Sequence, residues 1–210
     1  MAEIEYLPRE AFADFHNRKE RFAILVAHRR AGKTVACIGD LLLSILFRVK
    51  LHNPKAAYIA PMYRQAKAVA WDYLKAMTRV IPNVVINESE LRVDFPCHNG
   101  TARIQLFGSD NPDALRGQYF DAVILDEFAQ MNSRLWSEII RPALADRKGT
   151  ACILGTPMGH NAFYDQYNNA LGNDDWYTMV LKASESKLLD DDELLSLKKE
   201  MPENEYLQEF

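Results

Sequence analysis

The segment Ala27-His-Arg-Arg-Ala-Gly-Lys-Thr34 constrains this chain more than any other. It follows the continuous apolar run Phe22–Ala27, the pattern of a short strand buried on both faces. After it, Val35, Ile38, Leu41, Leu42, Ile45 and Leu46 recur at helical spacing up to about Phe47. Strand, Gly-Lys-Thr turn and helix together approach the phosphate-binding pattern G-x-x-x-x-G-K-[ST]. Each position has a physical job. Gly32 permits a tight turn in which successive N–H groups converge on phosphate oxygens. Lys33 brings a point charge to the outer phosphates, Thr34 offers a hydroxyl to Mg²⁺, and the helix start presents its positive end to the anion. Ala27 stands where the pattern has its first glycine. The alternative is a plain strand-to-helix turn that contains Gly-Lys-Thr, and the flanking elements weigh against it.

A second apolar run, Val123-Ile-Leu125, ends in Asp126-Glu127. Two acids at a strand end separate in role, because successive side chains point to opposite faces. Asp126 would hold Mg²⁺ through water, and Glu127 would orient and polarise the attacking water. Alone, the pair is equally well a solvated strand end. With the Gly-Lys-Thr loop before it, it reads as a Walker B pair tuned for ATP hydrolysis. Gly155-Thr156-Pro157 closes the next strand, Ala151–Leu154. A threonine there would sense the terminal phosphate, although glycine and proline also suffice for a plain turn. Arg116, in Leu115-Arg-Gly117, is a loop arginine that could reach a phosphate in cis or in trans; a surface arginine is the simpler reading.

Between these motifs strand and helix alternate. Ala56–Ala60 reads as a buried strand, Arg64–Val80 as an amphipathic helix, and Leu91–Phe95 with Thr101–Phe107 as a hairpin. Ser133–Leu144 reads as a helix, Trp176–Leu181 as a strand, and Asp190–Met201 as a helix with acids in its first turn, where the helix dipole favours them. Such alternation implies a mostly parallel sheet covered on both faces. With 48% hydrophobic and 26% charged residues, a disordered or collagenous chain is excluded. Three widely spaced cysteines, Cys37, Cys97 and Cys152, make no disulfide framework or zinc spacing and suit a reducing compartment. No apolar run is long enough to span a bilayer, and no secretory signal opens the chain. The net charge of −4 is uneven: residues 184–210 hold nine acids and three bases, against 20 acids and 22 bases before them. The acidic balance therefore says little about a nucleic-acid partner.

With these residues in place, the chain resembles the N-terminal ATPase domain of the large terminase subunit of tailed bacteriophages. The resemblance rests on motifs in order: the loop 27–34, Tyr58-Ile-Ala-Pro61 with Gln65-Ala-Lys67, Leu115-Arg-Gly117 before Ile124-Leu-Asp-Glu127, Gly155-Thr-Pro-Met-Gly159 with Phe163-Tyr164, and Glu205–Phe210. That family tolerates variation at the first glycine, so Ala27 agrees with it.

The resemblance implies a RecA-like P-loop ATPase (α/β, a mostly parallel central sheet flanked by helices, with a β-hairpin insertion near residues 84–107). It implies ATP bound by Ala27, His28, Arg29, Arg30, Ala31, Gly32, Lys33 and Thr34, and Mg²⁺ held by Thr34 and Asp126. Glu127 would be catalytic, with Arg29 as a cis arginine or Arg116 as one that reaches a neighbouring subunit. Gly155, Thr156 and Pro157 would couple hydrolysis to motion, and the adenine would lie near Phe15 and His16. The implied partners are double-stranded viral DNA, the portal protein, the small terminase subunit and further copies in a ring on the procapsid vertex, in the host cytoplasm and without a membrane. Residues 1–183 would form the ATPase core and 184–210 its acidic helical end; a nuclease domain is not expected within this length. A helicase-like ATPase and a non-catalytic module that keeps the fold are the competing readings. The complete set Lys33, Thr34, Asp126 and Glu127 counts against the second.

Overall fold

The apolar runs assemble into one eight-stranded sheet. The computed structural model describes residues 6–156, 158–186 and 188–210, with the backbone alone at 191, 207 and 208. The strands are β1 (Phe22–Ala27), β2 (Lys55–Ala60), β3 (Val85–Asn87), β4 (Arg92–Cys97), β5 (Gly100–Gly108), β6 (Ala122–Leu125), β7 (Thr150–Gly155) and β8 (Trp176–Leu181). Their order in the sheet is β3-β4-β5-β2-β6-β7-β1-β8. From β5 to β8 all neighbours are parallel. β4 runs antiparallel to β5, and β3 antiparallel to β4. The hairpin expected at 84–107 is therefore built into the edge of the main sheet: β5 pairs with β2 from Lys55↔Arg103 to Ala60↔Gly108.

Helices cover both faces, which is why the central strands lack polar alternation. The helices are α1 (Ala13–Asn17), α2 (Lys33–Leu43), α3 (Tyr63–Ala66), α4 (Asp72–Thr78), α5 (Arg141–Ala143), α6 (Ala162–Ala170), α7 (Ala183–Ser186), α8 (Asp191–Glu200) and α9 (Glu203–Glu209). A wider turn at Ser44–Arg48 prolongs α2, and another at Lys67–Trp71 joins α3 to α4. One core contains Phe15, Leu25, Ile38, Leu42, Tyr58, Trp71 and Ile124. The other contains Ile24, Ile59, Val123, Phe128, Ile140, Ile153 and Phe163. Among the described residues, no helix is long and apolar enough to cross a membrane.

The topology does one thing for function. β7 lies between β1 and β6. The loop after β1, Thr156 after β7 and Asp126-Glu127 after β6 therefore leave the sheet at its carboxyl edge as neighbours, where ligands bind in open α/β sheets.

Candidate functional site

β1 remains extended through Ala27, which pairs with Leu181 of β8. The backbone there needs no glycine, which accounts physically for alanine at that position. The left-handed turns come later, at Arg30 (φ 63°) and Gly32 (φ 92°). At residue 32 glycine suits the left-handed φ, and a Cβ there would approach the Arg9 guanidinium at 3.0 Å. α2 starts at once with Lys33, so the first N–H groups of the helix lack helical acceptors. They lie at a cavity of about 500 Å³ lined by Arg29, Arg30, Ala31, Gly32, Lys33 and Thr34, by Glu127 from the end of β6, and by Arg9, Val69 and Tyr73.

Lys33 is 8% exposed, and its Nζ donates to the carbonyls of Ala27 (2.6 Å) and His28 (3.1 Å). Burial lowers its proton affinity, against the pull of Glu127 and Asp126. Asp126 is 5% exposed; its N–H donates to the Ile59 carbonyl and its Oδ2 accepts the Tyr58 hydroxyl. Burial pushes its carboxyl up to about 6, opposed by the Tyr58 hydrogen bond and by Lys33, while Glu127 adds to the rise. Glu127 adopts left-handed backbone (φ 53°), a strained state for a non-glycine residue. Its Oε2 accepts from the Thr156 hydroxyl at 3.3 Å and from the Thr156 N–H at 3.5 Å. The Glu127 carboxylate and the strand-end threonine are thus in contact. Thr156 follows Gly155, whose β7 position pairs with Val26 of β1; Pro157 lies outside the described residues.

Other expected residues fall elsewhere. His28 is 3% exposed and hydrogen-bonds through Nε2 to Ser186 Oγ at 2.8 Å, away from the cavity lining; burial lowers its pKa. Arg29 lines the cavity, yet it also holds the C-terminal segment. Its N–H donates to the Glu209 carbonyl at 3.0 Å, and its Nε pairs with the Glu209 carboxylate at 3.0 Å. Glu209 thus meets the loop, and the neighbouring Phe210 carbonyl accepts from Ala183 N–H. Arg116 is exposed, pairs with Asp113 at 3.4 Å and does not line the cavity of its own chain.

Phe15 and His16, near which the adenine was expected, are buried side chains. Phe15 has no exposed surface, and His16 is 8% exposed against Tyr6 and Asp40. Neither has a face open for stacking, and neither lines the cavity. A second cavity, about 350 Å³, continues the first through Arg9, Gly32, Val35 and Tyr73 and adds Tyr6, Leu7, Phe12 and Met77. Tyr73, on the amphipathic helix expected over Arg64–Val80, is 48% exposed there. The signal lay in the helix pattern: Val69, Tyr73 and Val80 widen the apolar stripe beyond what the core absorbs, and Val69 and Tyr73 border the site. Arg9 carried no such signal. It binds the loop through the Ala31 carbonyl at 2.9 Å.

Comparison with known proteins fits this geometry. The family described as "Terminase large subunit, T4likevirus-type, N-terminal" matches residues 24–209. A terminase large subunit of Thermus phage G20c is 27% identical over 176 residues, 76% of this chain but 36% of that protein. The chain thus spans about a third of the length of the curated relatives it matches. Among solved structures, the large terminase ATPase domain of Thermus phage P74-26 superposes with a TM-score of 0.86, at 23% identity, over 99% of this chain and 94% of that one. The large terminase of another thermophilic bacteriophage, in complex with ADP, superposes with a TM-score of 0.76 at 13% identity, over 91% and 47%. These likenesses show a shared fold, and the family match over most of its length shows that the chain belongs to the terminase large subunit family, in its N-terminal domain.

Proposed function

We propose that this chain is the ATP-hydrolysing motor domain of a terminase large subunit, and that it powers movement of double-stranded viral DNA into a procapsid. One observation carries the reading: Lys33 and Thr34 after β1 and Glu127 after β6 line a single cavity, with Asp126 buried at the same edge. Arg9, Arg29, Arg30 and Lys33 set four positive charges against Glu127, a balance suited to a polyphosphate. The thermophilic bacteriophage terminase, solved with ADP and also with ATP-γ-S, supports a nucleotide as the ligand. The base then occupies the adjoining cavity of Tyr6, Leu7 and Tyr73 instead of the Phe15–His16 region.

Thr34 and Asp126 are hard oxygen donors and fit Mg²⁺. When bound, the ion supplies charge neutralisation on the outer phosphates. Lys33 leaves its two loop carbonyls for the phosphate oxygens. Glu127 orients the attacking water and takes its proton, and Thr156, already bonded to that carboxylate, senses the change and passes it to the segment after β7. Arg29 supplies positive charge in cis. Arg116, exposed and outside its own cavity, serves a neighbouring copy in a ring on the portal vertex. Portal protein and small terminase subunit are the further partners, and the host cytoplasm is the setting.

The test is phosphate release from ATP at protein concentrations that promote assembly. Arg116→Ala and Glu127→Gln should each be inactive alone. Mixed, they should recover activity, because an Arg116→Ala subunit keeps its own Glu127 and borrows an arginine. Activity in wild type without recovery in the mixture removes the trans arginine; no wild-type hydrolysis removes the motor reading.

A further inference from the structure

The motif Tyr58-Ile-Ala-Pro61 finds no role in the scheme above, although its tyrosine touches the centre of the site. β2 reads Lys-Ala-Ala-Tyr-Ile-Ala, so Tyr58 brings the one hydroxyl of the strand. It lies opposite Ile124 of β6 and Leu106 of β5, and the ring is 1% exposed. The phenol donates to Asp126 Oδ2. The side chain therefore touches the carboxylate offered as a Mg²⁺ donor. A phenylalanine would fill the same core space without a buried hydroxyl to satisfy. The hydroxyl commits Oδ2 and so fixes the plane of the carboxylate. Partners of this kind orient metal-holding carboxylates.

We propose that Tyr58 is a positioning residue for Mg²⁺: it acts through Asp126, fixing the carboxylate for the ion that accompanies the nucleotide. This rests on the nucleotide-binding reading above. The test titrates Mg²⁺ into full chain holding ADP with a fluorescent ribose label, and reads bound nucleotide by fluorescence. In Tyr58→Phe the Mg²⁺ concentration for half-maximal change is expected to rise about tenfold or more. Binding of the labelled ADP in EDTA is expected to be unchanged, which a general disturbance of the fold would not allow. In an Asp126→Asn background, adding Tyr58→Phe should shift the midpoint no further. An unchanged midpoint in the single variant, or an equal additional shift in the double variant, overturns the assignment. Wild-type binding of ADP without any Mg²⁺ dependence overturns it too, while leaving nucleotide binding standing; absence of binding by wild type instead removes the underlying reading and the assignment with it. Should Tyr58→Phe fail to fold, wild type labelled at tyrosine ¹³Cζ carries the test. One resonance should move when Mg²⁺ joins ADP and stay fixed in Asp126→Asn; no moving resonance overturns the role.

Discussion

Glu127→Gln should lower ATP turnover by about 10²–10⁴-fold while nucleotide stays bound. In barrier terms that is about 3–5 kcal/mol. Glutamine keeps the length and the oxygen that accepts from Thr156, so the link at 3.3 Å between the two strand ends can persist. What is lost is the carboxylate that takes the proton of water. Glu127 lines the cavity through a strained left-handed backbone, an arrangement that the surrounding sheet must hold in place. Single-turnover phosphate release beside a direct binding measurement separates chemistry from affinity. A variant with undiminished turnover would assign the proton transfer to another group.

The second large effect concerns stability. Asp40, in α2, is 5% exposed and sits among three basic groups from two other segments. Arg18 donates to it at 2.6 Å, Arg48 at 2.8 Å, and His16 Nδ1 lies at 3.5 Å. Burial would raise the Asp40 carboxyl, but the His16 and Arg18 bonds and the charges of Arg18 and Arg48 outweigh it and hold it well below the usual carboxylate range. A depressed carboxyl contributes stability that is present above its unfolded value and is lost as pH falls through the folded one. Asp40→Ala leaves the Arg18 side chain, 4% exposed, without its buried partner. The expected cost is about 3–5 kcal/mol. For a domain of this size that lowers Tm by roughly 6–20 °C. Thermal unfolding at neutral pH measures it; a fall under about 2 °C would mean that the cluster is not a structural clamp.

That clamp also places Phe15 and His16, near which the adenine was expected, in the interior. Phe15 and His16 directly precede β1, and nearness along the chain suggested nearness to the loop. But they join the sheet at the amino end of β1, whereas the loop leaves at its carboxyl end. Tyr6 bridges the two regions, its hydroxyl bonded to His16 at 2.7 Å while its side chain lines the cavity beside the loop. α1 is pinned to Asp40, and it is the segment before it, Tyr6 to Arg9, that reaches the loop. The central strands β1, β2, β6 and β7 were legible because each carries a short apolar run ended by a polar group, glycine or proline, whereas the three-residue β3 was too short to announce itself. Lys33, Thr34, Asp126 and Glu127 were legible because strand ends carry them. Arg9 and Glu209 were not, since long-range packing alone brings them to the loop. Glu209 stood in an acidic run that reads equally well as a solvated helix, yet its carbonyl and carboxylate both meet Arg29. Tyr58 looked like one more apolar strand residue; only the register of β2 beside β6 shows that its hydroxyl meets Asp126.

The account stands on the cavity at the end of β1 being a nucleotide site. Titration calorimetry of the chain with Mg²⁺ and ATP-γ-S measures this most directly, with Lys33→Ala beside wild type. The expected result is one nucleotide bound per chain, with binding lost or weakened at least tenfold when the Lys33 ammonium is removed, as charge-assisted phosphate contacts require. No binding by wild type, or equal binding by Lys33→Ala, would contradict it.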